Sequence, residues 1–244
     1  MKQYEAVILS LEKLGGIATL GQLNQEVFNI KNCEWKTKTP FATIRRIVQL
    51  NKEIYKIKPG LYALKKRKAE LEKKGIYIET NKNLNSQKLN EFNHSYYQGL
   101  LVEIGNLKGF NTYIPPQDKN KLFINKPLGT LTGTDKIYDF SYPEIVNRAK
   151  TIDVIWFNER KLLSSLFEVE HSTDIQNSLL KYNDLQDFNT SLFIVSAIER
   201  KKEFEYKVKF ASFKEIKDRV KFVDYKFISD MHSKLFELNA LGHF

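Results

Sequence analysis

Tyr4, Val7, Ile8, Leu11 and Leu14 recur every three or four positions and predict a first helix, stopped by Gly15-Gly16. Leu20 to Asn29, with Leu23, Val27 and Phe28 turned inward, predicts a second. A third over Phe41 to Leu50 puts Ile44, Ile47 and Val48 on one face and Arg45, Arg46 and Gln49 on the other. Thr39 is expected to cap it and Pro40 to open it. Next, Ile54–Ile57 and Leu61–Leu64 flank Lys58-Pro59-Gly60, which predicts a strand, a turn and a strand. The run KKRKAELEKK then predicts a charged linker helix ending near Gly75, and the Asn-rich stretch from Thr80 to Leu89 a polar connector.

From Asn90 the pattern changes. Phe92, Tyr96, Leu100, Leu101 and Ile104 mark an amphipathic helix, with Gly105 to Gly109 expected to stop it. Phe110–Ile114 reads as a strand closed by Pro115-Pro116, and 117–150 as irregular. Ile152–Phe157 and Leu162–Glu170 read as neighbouring strands, and Thr173 is expected to cap a helix running to about Phe188. Leu192–Val195 is wholly apolar, as a strand inside a sheet would be. A strand near Phe222–Phe227 and a helix near Ser229–Leu238 complete the chain. The fold class is α+β, with an N-terminal helical module followed by a mixed α/β body. The expected division is 1–74 for the module and its linker helix, 75–89 for the connector and 90–244 for the body.

Charge sharpens that division. The 244 residues carry a formal net charge of +10. Residues 1–74 hold 16 Lys+Arg against 7 Asp+Glu, while the rest is nearly balanced at 23 to 22. A surplus confined to one segment points to a nucleic-acid-docking module joined to a body with other work. The aromatic and aliphatic content is enough for a packed core, no apolar run is long enough to span a bilayer, and the opening MKQYEAVILSLEKLGG is too charged for a secretory leader. The single Cys33 excludes a disulfide framework and the common zinc-ribbon spacings. The expected compartment is the cytoplasm.

The words GGIATLGQL, KTKTPFATI and YKIKPGLYAL resemble the winged-helix module called HARE-HTH over about 65 residues. The resemblance implies DNA binding, with the third helix in the major groove and the wing along the backbone. It makes Arg45, Arg46 and Gln49 candidates for base edges, and Lys36, Lys38, Lys56 and Lys58 candidates for phosphates.

The body carries the chemistry. Asp153 stands in one predicted strand and Glu168 and Glu170 in the next. Alternation sends Glu168 and Glu170 to the same face, with Phe167 and Val169 opposite. Three carboxylates gathered among apolar neighbours repel one another unless a cation joins them, and hard oxygen donors favour Mg²⁺, with Mn²⁺ the alternative. The passage FEVEHST, strand then helix, resembles the PD-(D/E)XK nuclease superfamily in its Asp…Glu-X-Glu form. That resemblance implies a restriction-endonuclease-like domain in which Asp153, Glu168 and the carbonyl of Val169 hold the metal. Glu170 takes the usual lysine's position and acts on the attacking water or a second metal. Glu103, on the helix of YYQGLLVEIGNLKGF, resembles the superfamily's first-helix acid and joins the metal through a water. His171 is expected to contact phosphate or orient Glu170, and Gln176 and Lys181 to steady the strand or a phosphate. Two positions depart from the pattern: Ile152 stands where a proline is nominal, and Glu170 replaces the lysine. His94, His232 and His243 have no partner spacing, so surface or capping roles are expected.

The expected function is a Mg²⁺-dependent endonuclease on double-stranded DNA, of the Type II restriction kind. It is expected to act as a two-fold homodimer and to have a cognate DNA methyltransferase encoded nearby. A modification-dependent nuclease shares the chemistry. A winged-helix regulator with an inactive nuclease-like body is the reading from another class.

Overall fold

The computed structural model describes residues 1–80, 83, 86–172 and 174–241. The chain forms two compact units. One comprises Met1–Phe92 together with the final helix from Ser229, and the other comprises Asn93–Ile228.

In the first unit, helix α1 (Gln3–Lys13) is followed by strand β1 (Ile17–Thr19), helix α2 (Leu20–Glu26) with a 3-10 turn over Val27–Asn29, and helix α3 (Pro40–Leu50). Strands β2 (Ile54–Lys58) and β3 (Leu61–Leu64) then form a hairpin, and helix α4 (Lys68–Lys73) follows. Gly15 and Gly16 end α1 at φ +89° and +86°, a region that penalises a side chain. Thr19 and Gln22 form a reciprocal capping box that opens α2, with Gln22 N–H donating to Thr19 Oγ1 at 3.1 Å and Thr19 N–H to Gln22 Oε1 at 3.0 Å. Thr39, expected as a cap, makes no side-chain capping bond, and Pro40 opens α3 without it. β1 pairs antiparallel with β3, giving the sheet order β1-β3-β2. Ala6, Val7 and Leu11 of α1 meet Leu23 of α2, Ile44 and Val48 of α3, and Tyr62 and Leu64 of β3 in one apolar cluster.

Helix α5 (Gln87–Leu107) begins three residues earlier than its apolar pattern suggested, and its residues divide between the two units. The second unit then runs through strand β4 (Asn111–Tyr113), a small β5 (Leu122–Phe123) and β6 (Lys126–Pro127) hairpin, helix α6 (Pro143–Ala149), strands β7 (Val154–Phe157) and β8 (Leu163–Glu170), helix α7 (Ile175–Asn183), strand β9 (Ser191–Ser196), helix α8 (Lys201–Lys207) and strand β10 (Val220–Asp224). The residues of the last helix, α9 (Tyr225–Leu241), divide between the two units as those of α5 do. The expected cap Thr173 lies outside the described residues; Asp174 caps α7 by accepting from Gln176 N–H at 2.9 Å.

The five-stranded sheet has the order β10-β9-β8-β7-β4. β8 lies at its centre, parallel to β9 and antiparallel to β7. Ile155, Phe157, Leu166, Leu192 and Ile194 bury one face beneath Ile175, Leu179 and Tyr182 of α7. This is a mixed α+β architecture with a mixed central sheet. Among the described residues no helix is long and apolar enough to cross a membrane.

α5 ends at Leu107, within the expected stop from Gly105 to Gly109, and Gly109 follows at φ +80°. Gly105 itself sits inside the helix, where an added Cβ would lie 2.6 Å from Trp156 Nε1 and 2.5 Å from Thr112 Cγ2. The bare backbone lets the indole come close enough to donate to Leu101 O at 3.1 Å. Alanine has the better helix propensity, by about 1 kcal/mol, but overpacking costs about 1–3 kcal/mol. Gly105→Ala is therefore expected to lower the thermal midpoint, read by calorimetry; an unchanged or raised midpoint would refute the close approach.

Candidate active site

The polar centre of the second unit is built by three elements. Asp153 immediately precedes β7, and Val154 pairs with Phe167, so Asp153 comes opposite the end of β8. The N–H of Val169 donates to Asp153 Oδ2 at 2.7 Å. A strand residue turns its N–H and C=O to the same edge, so the Val169 carbonyl opens toward Asp153 as well. Glu168 and Glu170 are 2% and 4% exposed. Both accept from one hydroxyl, Ser178 Oγ of α7, at 3.1 Å for Glu168 and closer for Glu170. The alternation argument therefore holds: the two glutamates share a face.

Lys181 lies one turn beyond Ser178. Its Nζ is 2.8 Å from Glu168 Oε2 and also donates to Thr151 O at 3.0 Å. Burial and the neighbouring Asp153 charge push the Glu168 carboxyl well above the usual carboxylate range, against the pull of Lys181. Burial also raises Asp153, but the His94 ring, the Lys181 charge and the Val169 N–H outweigh it and hold that carboxyl below its ordinary value. Burial depresses the Lys181 ammonium, but Glu168, Asp153 and Glu170 more than reverse this.

His94 is the residue that sequence spacing missed. It lies on α5 with Nε2 3.2 Å from Asp153 Oδ2. Burial disfavours its charged form, yet the Asp153 carboxylate and, farther off, Asp118 raise its pKa overall. Gln98, one turn along, donates to Asp153 O at 3.1 Å and to the buried Asp118 Oδ2 at 2.8 Å. Nothing in the linear order links position 94 to position 153, though His94 and Gln98 share an i, i+4 face.

The structure brings His94 to Asp153; Glu103, expected as the first-helix acid, is nine residues farther along α5, about 13.5 Å along the axis and half a turn around it. Of the auxiliary residues, Lys181 reaches Glu168, whereas Gln176 contributes its backbone N–H to the Asp174 cap. His171 follows β8 directly, with its Nε2 3.0 Å from Asn93 Nδ2 and its ring facing Tyr225 at 6.2 Å.

Asp153, Glu168 and the Val169 carbonyl would offer oxygen donors alone, which suit a hard divalent cation; burial first and the Asp153 charge second are what raise Glu168. In the arrangement described, Glu168 and Glu170 are held by α7 and Asp153 by His94, and no three His, Cys, Asp or Glu side chains among the described residues are grouped to hold an ion. Lys181 supplies the counter-charge to Glu168.

Residues 78–242 match the family model of the Type II restriction enzyme NmeDI C-terminal domain. The chain belongs to this family. It is also 30% identical over 134 residues to the Type II restriction enzyme NmeDI of Neisseria meningitidis serogroup C, covering 50% of this chain and 38% of that enzyme. The chain thus spans well under half the length of this curated relative. No solved structure matches it. The NmeDI C-terminal match takes in every residue of the polar centre, from His94 to Lys181, and leaves out residues 1–77.

Outside the NmeDI C-terminal match, the expected DNA contacts divide. Lys38, Arg46 and Lys56 are exposed. Lys36 is also exposed, beside Glu34 at 3.1 Å. Lys58 is not available to a phosphate: it is buried, and its Nζ is 3.1 Å from Glu79 Oε2. Burial pulls its ammonium down despite that partner. Arg45 is ion-paired to Glu237 of α9 at 2.9 Å, and Gln49 hydrogen-bonds Tyr62. Arg46 instead lines an open groove of about 480 Å³ with Gln3, Tyr4, Thr43 and Leu50.

Proposed function

We propose that the chain is a Mg²⁺-dependent DNA endonuclease of the Type II restriction kind, with a PD-(D/E)XK-like body in the Asp…Glu-X-Glu form and an N-terminal winged helix that grips double-stranded DNA. The observation that carries the reading is the approach of Asp153, just before β7, to the Glu168–Glu170 end of β8 inside a domain of the NmeDI family. The order of three helices and a hairpin, with exposed Lys38, Arg46 and Lys56 in the basic segment, supports the DNA-binding half.

On this reading Asp153, Glu168 and the Val169 carbonyl hold Mg²⁺, with Mn²⁺ as a substitute. The ion, when bound, polarises the scissile phosphate and lowers the pKa of water. Glu170 orients the attacking water and accepts its proton, held in place by Ser178. Lys181 keeps a positive charge against Glu168 and limits repulsion between the carboxylates as the phosphate enters. In-line attack leaves 5′-phosphate and 3′-hydroxyl ends. A two-fold homodimer would bring two such centres to the two strands, and a cognate methyltransferase encoded nearby would protect host DNA.

Purified protein incubated with plasmid and Mg²⁺ tests the reading. Discrete linear products, lost on chelation and restored by added Mg²⁺ or Mn²⁺, are expected. Uncut plasmid across a panel of sequences would refute it.

A further inference from the structure

We propose that His94 and Gln98 form a positioning pair that presents one oxygen of Asp153 to the reaction; the assignment rests on the nuclease reading above and deepens it. The two side chains share a face of α5 and grip the same residue at different atoms. Gln98 Nε2 donates to the Asp153 carbonyl at 3.1 Å. His94 Nε2 stands 3.2 Å from Oδ2 of the carboxyl, where Val169 N–H also donates at 2.7 Å. A carboxylate only accepts, so the proton of that contact belongs to His94 Nε2. Both donors converge on Oδ2. Among the described residues no donor reaches Oδ1, and 14% of the Asp153 side chain is open.

The arrangement is selective. A carboxyl held only by Val169 N–H can rotate about its last torsion, which is broad for aspartate. A second donor on the same oxygen fixes the plane and leaves Oδ1 as the outward atom. Gln98 fixes the other end by tying the backbone carbonyl to α5, and its second bond to buried Asp118 Oδ2 at 2.8 Å holds the amide in turn. Such outer partners orient a ligand without touching the ion or the substrate, and losing one typically costs about 10- to 100-fold in metal affinity or activity.

The test compares His94→Ala with His94→Gln, whose amide can place a donor where the ring nitrogen stands. Two readouts are taken: turnover of plasmid in Mg²⁺, and Mn²⁺ affinity of the protein alone by paramagnetic resonance. His94→Ala is expected to weaken Mn²⁺ binding and lower kcat about 10- to 100-fold, with the KM for DNA unchanged. His94→Gln should restore both to within about threefold. If wild type cuts and His94→Ala matches it in Mn²⁺ affinity and kcat, the assignment is overturned and the nuclease reading stands. A His94→Gln variant that folds but is as impaired as alanine also overturns it, because the donated bond would then not be what matters. A wild type that neither cuts nor binds Mn²⁺ overturns the nuclease reading, and the assignment falls with it.

Discussion

Glu168→Ala is expected to reduce plasmid cleavage by about 10²–10³-fold or more while leaving DNA affinity within a factor of two. Glu168 is the most constrained carboxylate of the centre, at 2% exposed, with Asp153 on one side and Lys181 2.8 Å away on the other. On the proposed reading, removing it takes away an oxygen ligand of the metal, and losses of this size follow from deleting a single electrostatic group in an active site. Its place in the second unit, while the exposed Lys38, Arg46 and Lys56 belong to the first, predicts the separation of effects. Cleavage gels and equilibrium binding in Ca²⁺ read the two quantities on the same preparation. A variant that cuts like wild type would show that the carboxylate cluster has another purpose.

Lys181→Met is expected to destabilise the fold more than any surface change. The lysine stem is half-buried and its ammonium faces a carboxylate that has almost no contact with solvent. Methionine fills most of the stem volume but leaves Glu168 without its counter-charge. Breaking a buried pair from one side costs about 3–5 kcal/mol, which for a chain of this size lowers the thermal midpoint by roughly 6–20 °C. The sign with pH follows from the carboxyl. A carboxylic acid whose folded pKa is raised is most easily accommodated when protonated, so its burden is absent below the unfolded value and grows as pH rises toward the folded one. The variant should therefore recover part of its stability as pH falls through the range above 4.5, seen as a shrinking gap between its melting curve and the wild-type curve. A gap independent of pH would mean that Lys181 acts by packing alone.

The elements that could be read in advance were those whose own residues decide them. α1 and α3 follow an unbroken helical period, and β9 is a strand that its apolar run almost forces. The shared face of Glu168 and Glu170 needed only strand alternation. What escaped depends on partners far away in the chain. β1 has only three residues, too few for any period, and exists because β3 pairs with it. The stop at Gly105–Gly109 could be read, but not that Trp156 takes the space beside Gly105 inside the helix. Lys58 reads as a wing lysine, but Glu79 and the surrounding chain bury it; Arg45 reads as a free reader of bases, but Glu237, 192 positions away, holds it. His94 offered no spacing at all, since its meaning arises only when β7 lies beside α5.

An added Cβ would strike the Phe123 ring at Gly99 of α5 and the Trp156 indole at Gly105. The helix therefore has two notches that admit these rings, and a slip by a single residue would rotate both about 100° out of line. His94 and Gln98 ride on the same rod. Apolar keys thus index the polar hands that hold Asp153, and the alignment of the centre is set by oily surfaces within about three turns of it on the same helix.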